Sequence, residues 1–137
     1  MVISLYKLWG VVGVDAKTFA VVFLKSLAPV LVAFAAGYSA ANVLKFFFGL
    51  GSIIGGALDT VIATALTLLV GVAVTVYLSQ SVYDRHQSMN EESLKENILS
   101  FMQSTRFKEM VDDVKKLAQN PKNISKDTVI ELLNKRT

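Results

Sequence analysis

Thr60–Tyr83, TVIATALTLLVGVAVTVYLSQSVY, runs for twenty-four residues without a charged side chain. A helix rises about 1.5 Å per residue, so roughly 20 such residues cross the hydrocarbon core of a bilayer, and a lipid-exposed backbone must satisfy its hydrogen bonds internally. This stretch therefore predicts a transmembrane helix over about residues 60–82. Nineteen uncharged residues, Ser26–Leu44, lie between Lys25 and Lys45 and predict an earlier span over about 22–44.

The rest of the chain is arranged around these two segments. Of 137 residues 53% are apolar, but residues 1–83 hold six charges whereas residues 84–137 hold nineteen. The two parts are built for different solvents. The expected fold is an all-α membrane protein, with a membrane region over 1–83 and a polar amphipathic helical tail over 84–137. Within the membrane region the expectation is an interfacial N-terminal helix over 2–17, the two spans as a hairpin, and an apolar glycine-rich turn over 45–59.

The start of the first span has two readings, because Thr18–Leu24 is also apolar. Mid-span, Lys25 would cost about 2.5 to 3.5 kcal/mol, so it is placed near an interface where its ammonium reaches headgroups. Pro29 is harmless in a first turn but interrupts a helix that starts near Ala16, so the alternative is a long, kinked helix. Upstream, Tyr6, Lys7 and Trp9 among aliphatic residues have the composition of an interfacial helix. A cleaved signal peptide competes with this through the small residues at Ala33–Ala35 and Tyr38–Ala40, but the region before them is long for such a signal.

In the connector, Gly49, Gly51, Gly55 and Gly56 predict a tight turn near the membrane, with Phe46–Phe48 at the headgroup boundary. It is not a nucleotide loop: Gly49 and Gly51 fit G-x-G-x-x-G, but Ile54 holds its third position. Small residues recur every fourth position, at Ala33, Gly37 and Ala41 in the first span and at Ala63, Thr67, Gly71 and Thr75 in the second. Such stripes let membrane helices approach closely, either within the hairpin or against another subunit. Asp59 invites comparison with the carboxylate of rotary ATP-synthase ring subunits. It sits at a span's edge beside an apolar loop, so it reads as a boundary residue and helix cap instead.

Lys7, Lys17 and Lys25 precede the first span, Lys45 alone lies between the spans, and Arg85 and Lys95 follow the second. The positive-inside rule then puts both termini of a multi-pass protein on the cytoplasmic or equivalent side.

In the tail, Ser88–Glu91 has capping-box spacing ahead of Leu94, Ile98, Phe101 and Met102, which predicts a helix over about 89–103. Phe107, Met110, Val111, Val114 and Leu117 share one face of a second helix, Thr105–Gln119. Ser125 opens a third, carrying Val129, Leu132 and Leu133 to about Lys135. Some fifty residues bury too little surface to fold easily alone, so the Phe107–Leu117 face is expected to meet a protein partner, with a self-contained bundle as the second reading.

Reactive constellations are lacking in the sequence. Zero cysteines exclude disulfides and thiolate chemistry, and His86 alone cannot form a histidine-based metal site. Glu91, Glu92, Glu96, Asp112 and Asp113 are accounted for by helix starts and polar faces. A net charge of +3 without a basic block gives no nucleic-acid footprint. The expectation is a non-enzymatic structural or assembly protein without catalytic, cofactor-binding or metal residues. Its partners would be the bilayer and subunits of a larger membrane complex or lipid-containing virion, or further copies of itself. In having two spans, small size and a charged C-terminal tail, the chain also resembles phage holins; that implies a homo-oligomeric pore former as the alternative.

Overall fold

The structure is a computed structural model and describes residues 2–8, 14–34, 40–47, 60–80 and 90–136. Its helices are α1 (Val2–Leu8), α2 (Ala16–Phe34), α3 (Ala40–Phe47), α4 (Thr60–Gln80), α5 (Glu91–Met102), α6 (Thr105–Ala118) and α7 (Lys126–Arg136), with a 3₁₀ turn at Pro121–Asn123. No strand occurs among the described residues. By length and composition, α2 and the Ile62–Gln80 part of α4 are each able to cross a membrane.

The first apolar segment differs from the expected 22–44 span. It begins at Ala16, where the Asp15 carboxylate accepts a hydrogen bond from the Thr18 N–H at 3.2 Å and caps the helix. Lys25 and Pro29 both lie inside α2 and on its exposed side, so neither the charge nor the missing N–H disturbs the packed face. That face is set by residues four apart: Phe19, Phe23, Leu27 and Leu31 are each completely buried. Residues 35–39 lie outside the described residues, and α3 packs against α2.

Helix α4 is the centre of the molecule. It is apolar around its circumference, which fits either a bilayer or the middle of a core. Here Leu66, Leu69, Val70, Val72, Ala73, Val74, Val76, Tyr77 and Leu78 are all buried, under α1, α2, α6 and α7. The tail forms this cover together with the N-terminal helices. Leu94, Ile98 and Phe101 of α5, Phe107, Met110 and Val114 of α6, and Leu132 of α7 belong to the same apolar cluster as α2 and α4.

Local sequence explains each tail helix. Asn90, not Ser88, caps α5, its side chain accepting from the Ser93 N–H at 2.8 Å. Ser104 caps α6 by accepting from the Phe107 N–H at 3.2 Å, and Ser125 does the same for Thr128 at the start of α7. Helix α1, expected at the membrane interface, instead buries Val2 and Tyr6 in the core, with the Tyr6 hydroxyl donating to the Val14 carbonyl at 2.7 Å.

Candidate functional site

Two groups of residues carry the functional expectations: the small-residue stripes and the apolar face of α6. The described members of the stripes are placed differently from one another. Gly37 lies outside the described residues, Ala33 and Ala41 are exposed, and Ala63 is half-buried. Thr67, Gly71 and Thr75 line an open apolar cleft of about 310 Å³ with Leu5, Leu68, Val72, Val129 and Leu133, between α1 and α7. The Thr67 hydroxyl donates to the Ala63 carbonyl and the Thr75 hydroxyl to the Gly71 carbonyl, both at 2.8 Å. Their polarity is thus absorbed by the helix itself, which keeps the cleft apolar. Close approach of a helix at Gly71 stays available from the outside of the bundle.

The α6 face has a different fate. Phe107, Met110 and Val114 are buried, and Val111 and Leu117 are half-buried, all packed on the core that α4 centres. The surface on which the sequence invites a partner is occupied by the chain's own apolar helices. The physical reason is complementarity: α4 offers apolar surface on every side, and α6 has one apolar stripe to lay along it.

An aromatic chain, not foreseen from the sequence, locks the tail onto this core. Tyr6 stacks on Phe19 with centroids 4.4 Å apart, and Phe19 and Phe23 lie 5.8 and 5.7 Å from Tyr77. Tyr77 meets Phe101 edge-on at 5.4 Å, and Phe101 meets Phe107 edge-on at 5.3 Å. The Tyr77 hydroxyl donates to Asn97 Oδ1 at 3.1 Å, so the polar end of the ring is also held by α5. These rings come from α1, α2, α4, α5 and α6, a grouping that local periodicity does not reveal.

At the far end of the tail, the Arg136 guanidinium reaches from α7 to α6. Its Nε donates to Asp113 Oδ2 at 2.7 Å and its Nη1 to Glu109 Oε2 at 2.7 Å. The Arg136 side chain is only 13% exposed, so this pairing is better sheltered than an ordinary surface ion pair. The hydrogen bond to Asp113 pushes the already high Arg136 pKa further up. Elsewhere, burial first and the Asp15 carboxylate second raise the Tyr6 phenol above its ordinary value.

The direction of α6 follows from its contacts. Phe107 is joined through Phe101 to Tyr77 near the C-terminal end of α4, whereas Lys115, Ala118 and Gln119 line a cleft with Ile62 and Ala65 near the N-terminal end. Helix α6 therefore runs antiparallel along α4, and Lys115 Nζ sits 5.7 Å above the Phe34 ring. Helix α6 also carries Arg106, Lys108, Glu109, Asp112, Lys115 and Lys116, all exposed, of which Lys115 is at the edge of that cleft. At the depth of a bilayer centre each lysine, arginine or aspartate costs about 2.5 to 3.5 kcal/mol.

Among the described residues no three histidine or carboxylate side chains come together as a metal site. Asp59, His86, Trp9 and the glycines of the 45–59 turn lie outside the described residues. No family model, curated protein or solved structure matches this chain.

Proposed function

We propose that this chain is a non-enzymatic structural or assembly protein of a membrane-bound complex or a lipid-containing virion. Helices α2 and α4 serve as its membrane anchor, and the amphipathic tail is its protein-binding arm. The observation that carries this reading is the choice of surface made by the tail. Phe107, Met110 and Val114 dock on an apolar core centred on α4, so an apolar helix is what the arm takes as a partner. In the assembled complex a neighbouring subunit supplies that helix.

The test is the native mass of the protein extracted in mild detergent from its source membrane or particle, with identification of whatever accompanies it. A defined hetero-complex, lost on changing Met110 to Asp, supports the reading. A protein that washes off the membrane in alkaline carbonate overturns it.

A second reading, a holin-like homo-oligomeric pore former, is favoured by the open Thr67–Gly71–Thr75 face, which suits packing of one α4 against another copy. A large homo-oligomer with no other component, together with dye release from liposomes, would establish it over the first. Sealed liposomes would dismiss it.

A further inference from the structure

The packing of α6 on α4 and the insertion of α4 in a bilayer are incompatible within one chain. The fourteen residues of α6 lie along α4 from its Ile62–Ala65 end, and they rise about 21 Å at 1.5 Å per residue, roughly two thirds of the thickness of a hydrocarbon core. If α4 crossed a bilayer in this arrangement, Arg106, Lys108, Glu109, Asp112, Lys115 and Lys116 would enter the hydrocarbon with it. The exposed Glu91, Glu92, Lys95 and Glu96 of α5, which packs on α2, would meet the same obstacle. In water the preference reverses, because lifting the tail would expose the Ile62–Ala65 end and the Tyr77 ring of the central helix and the apolar stripes of α5 and α6 together.

We infer that α5, α6 and α7 form a releasable cover, closed over α2 and α4 in water and lifted off them when those helices enter a membrane. This rests on the anchor reading above and adds a regulatory consequence to it. The partner-binding face of Phe107, Met110 and Val114 is sheltered until the anchor is in place, so assembly follows insertion. The cover has the construction of a single unit. Only Gln103 and Ser104 separate α5 from α6, Phe101 packs edge-on against Phe107, and Arg136 ties α7 to Asp113 and Glu109 of α6. Lifting breaks the contacts of Tyr77 with Phe101 and Asn97 and the Lys115–Phe34 contact while leaving those ties intact.

The absence of cysteine allows a direct test with spin labels on the full chain. Ala33 and Gln119 are exposed and line the same cleft between the anchor and α6, and Lys116 and Lys135 line one cleft within the tail. Distances are measured for Ala33→Cys/Gln119→Cys and for Lys116→Cys/Lys135→Cys, in lipid-free buffer and after reconstitution into vesicles of phosphatidylcholine and phosphatidylglycerol. The expected result is a short first distance in buffer that lengthens by more than about 10 Å, the width of a helix, in vesicles, while the second stays the same. An unchanged first distance in carbonate-resistant vesicles overturns the cover but leaves the anchor standing. A long first distance already present in buffer overturns it too, as does lengthening of both distances, which would mean an unfolding tail. Failure to enter the vesicles overturns the anchor reading, and this inference with it.

Discussion

Helices α4 and α6 lie against each other in one core, yet they reach it by opposite routes. Helix α4 is apolar on every side and buried on nearly all of them, with only Thr64, Thr67 and its C-terminal end exposed in the stretch from Ala63 to Gln80. Helix α6 buries Phe107, Met110 and Val114 and keeps charged residues over the rest of its surface. A helix like α4 is at home in any apolar surroundings, whereas a helix like α6 needs an apolar neighbour on one side and water on the other. That asymmetry makes the central helix the fixed element and the tail the conditional one.

The sharpest way to break this relation is at the ring that joins the two regions. Phe101→Ala removes the contact between Tyr77 and Phe107 and leaves a cavity, at an expected cost of about 3–5 kcal/mol. Denaturant unfolding in lipid-free buffer, followed by circular dichroism, checks it; a cost below about 1 kcal/mol would mean that the tail is not part of the core.

A paired substitution on α4 separates its inner and outer faces. Ala73 is fully buried, and Ala73→Leu should cost about 1–3 kcal/mol by overpacking. Gly71 faces the open cleft, so Gly71→Leu should change the stability of the single chain by less than about 1 kcal/mol while reducing its assembly with other subunits. Thermal melts and native mass read the two effects separately.

Arg136→Met tests whether the tail moves as one piece. Losing its bonds to Asp113 and Glu109 should cost about 1–2 kcal/mol and speed amide exchange in α7 before that in α6. Equal acceleration in both helices would deny Arg136 its role as the tie between them.

The smallest effect is a pH dependence at α1. The Tyr6 phenol is raised in the folded chain, so its contribution to stability is whole below the ordinary pKa of 10.0 and is lost as the pH climbs through the higher folded value. Unfolding measured between pH 9 and about pH 11 should show this loss, and Tyr6→Phe should remove it from the profile.

The helical segments were largely readable from local pattern. Phe107, Met110 and Val114 mark the apolar side of α6 by their spacing, and Ser125 is a recognisable cap. Other local features were ambiguous for specific reasons. Asp15 and Ser26 are both credible starts for the first apolar helix, and the capping hydrogen bond to Thr18 decides for Asp15. Ser88 and Asn90 are both good caps, and only the backbone position of Ser93 distinguishes them. The small residues of α4 were legible as a stripe, but spacing alone does not tell an inward stripe from an outward one. Thr67 and Gly71 line the cleft between α1 and α7.

The uneven placement of charge already dictates two long apolar helices and a segregated amphipathic tail, because hydrophobicity and period are properties of the chain itself. Which apolar surface covers which is decided only when the elements meet. Burial is non-directional, so a bilayer, a second subunit and the chain's own tail satisfy α4 equally well by composition. Tyr77 placed against Phe19, Phe23, Phe101 and Asn97 favours the tail, because ring geometry and a hydrogen bond are directional where apolar contact is not.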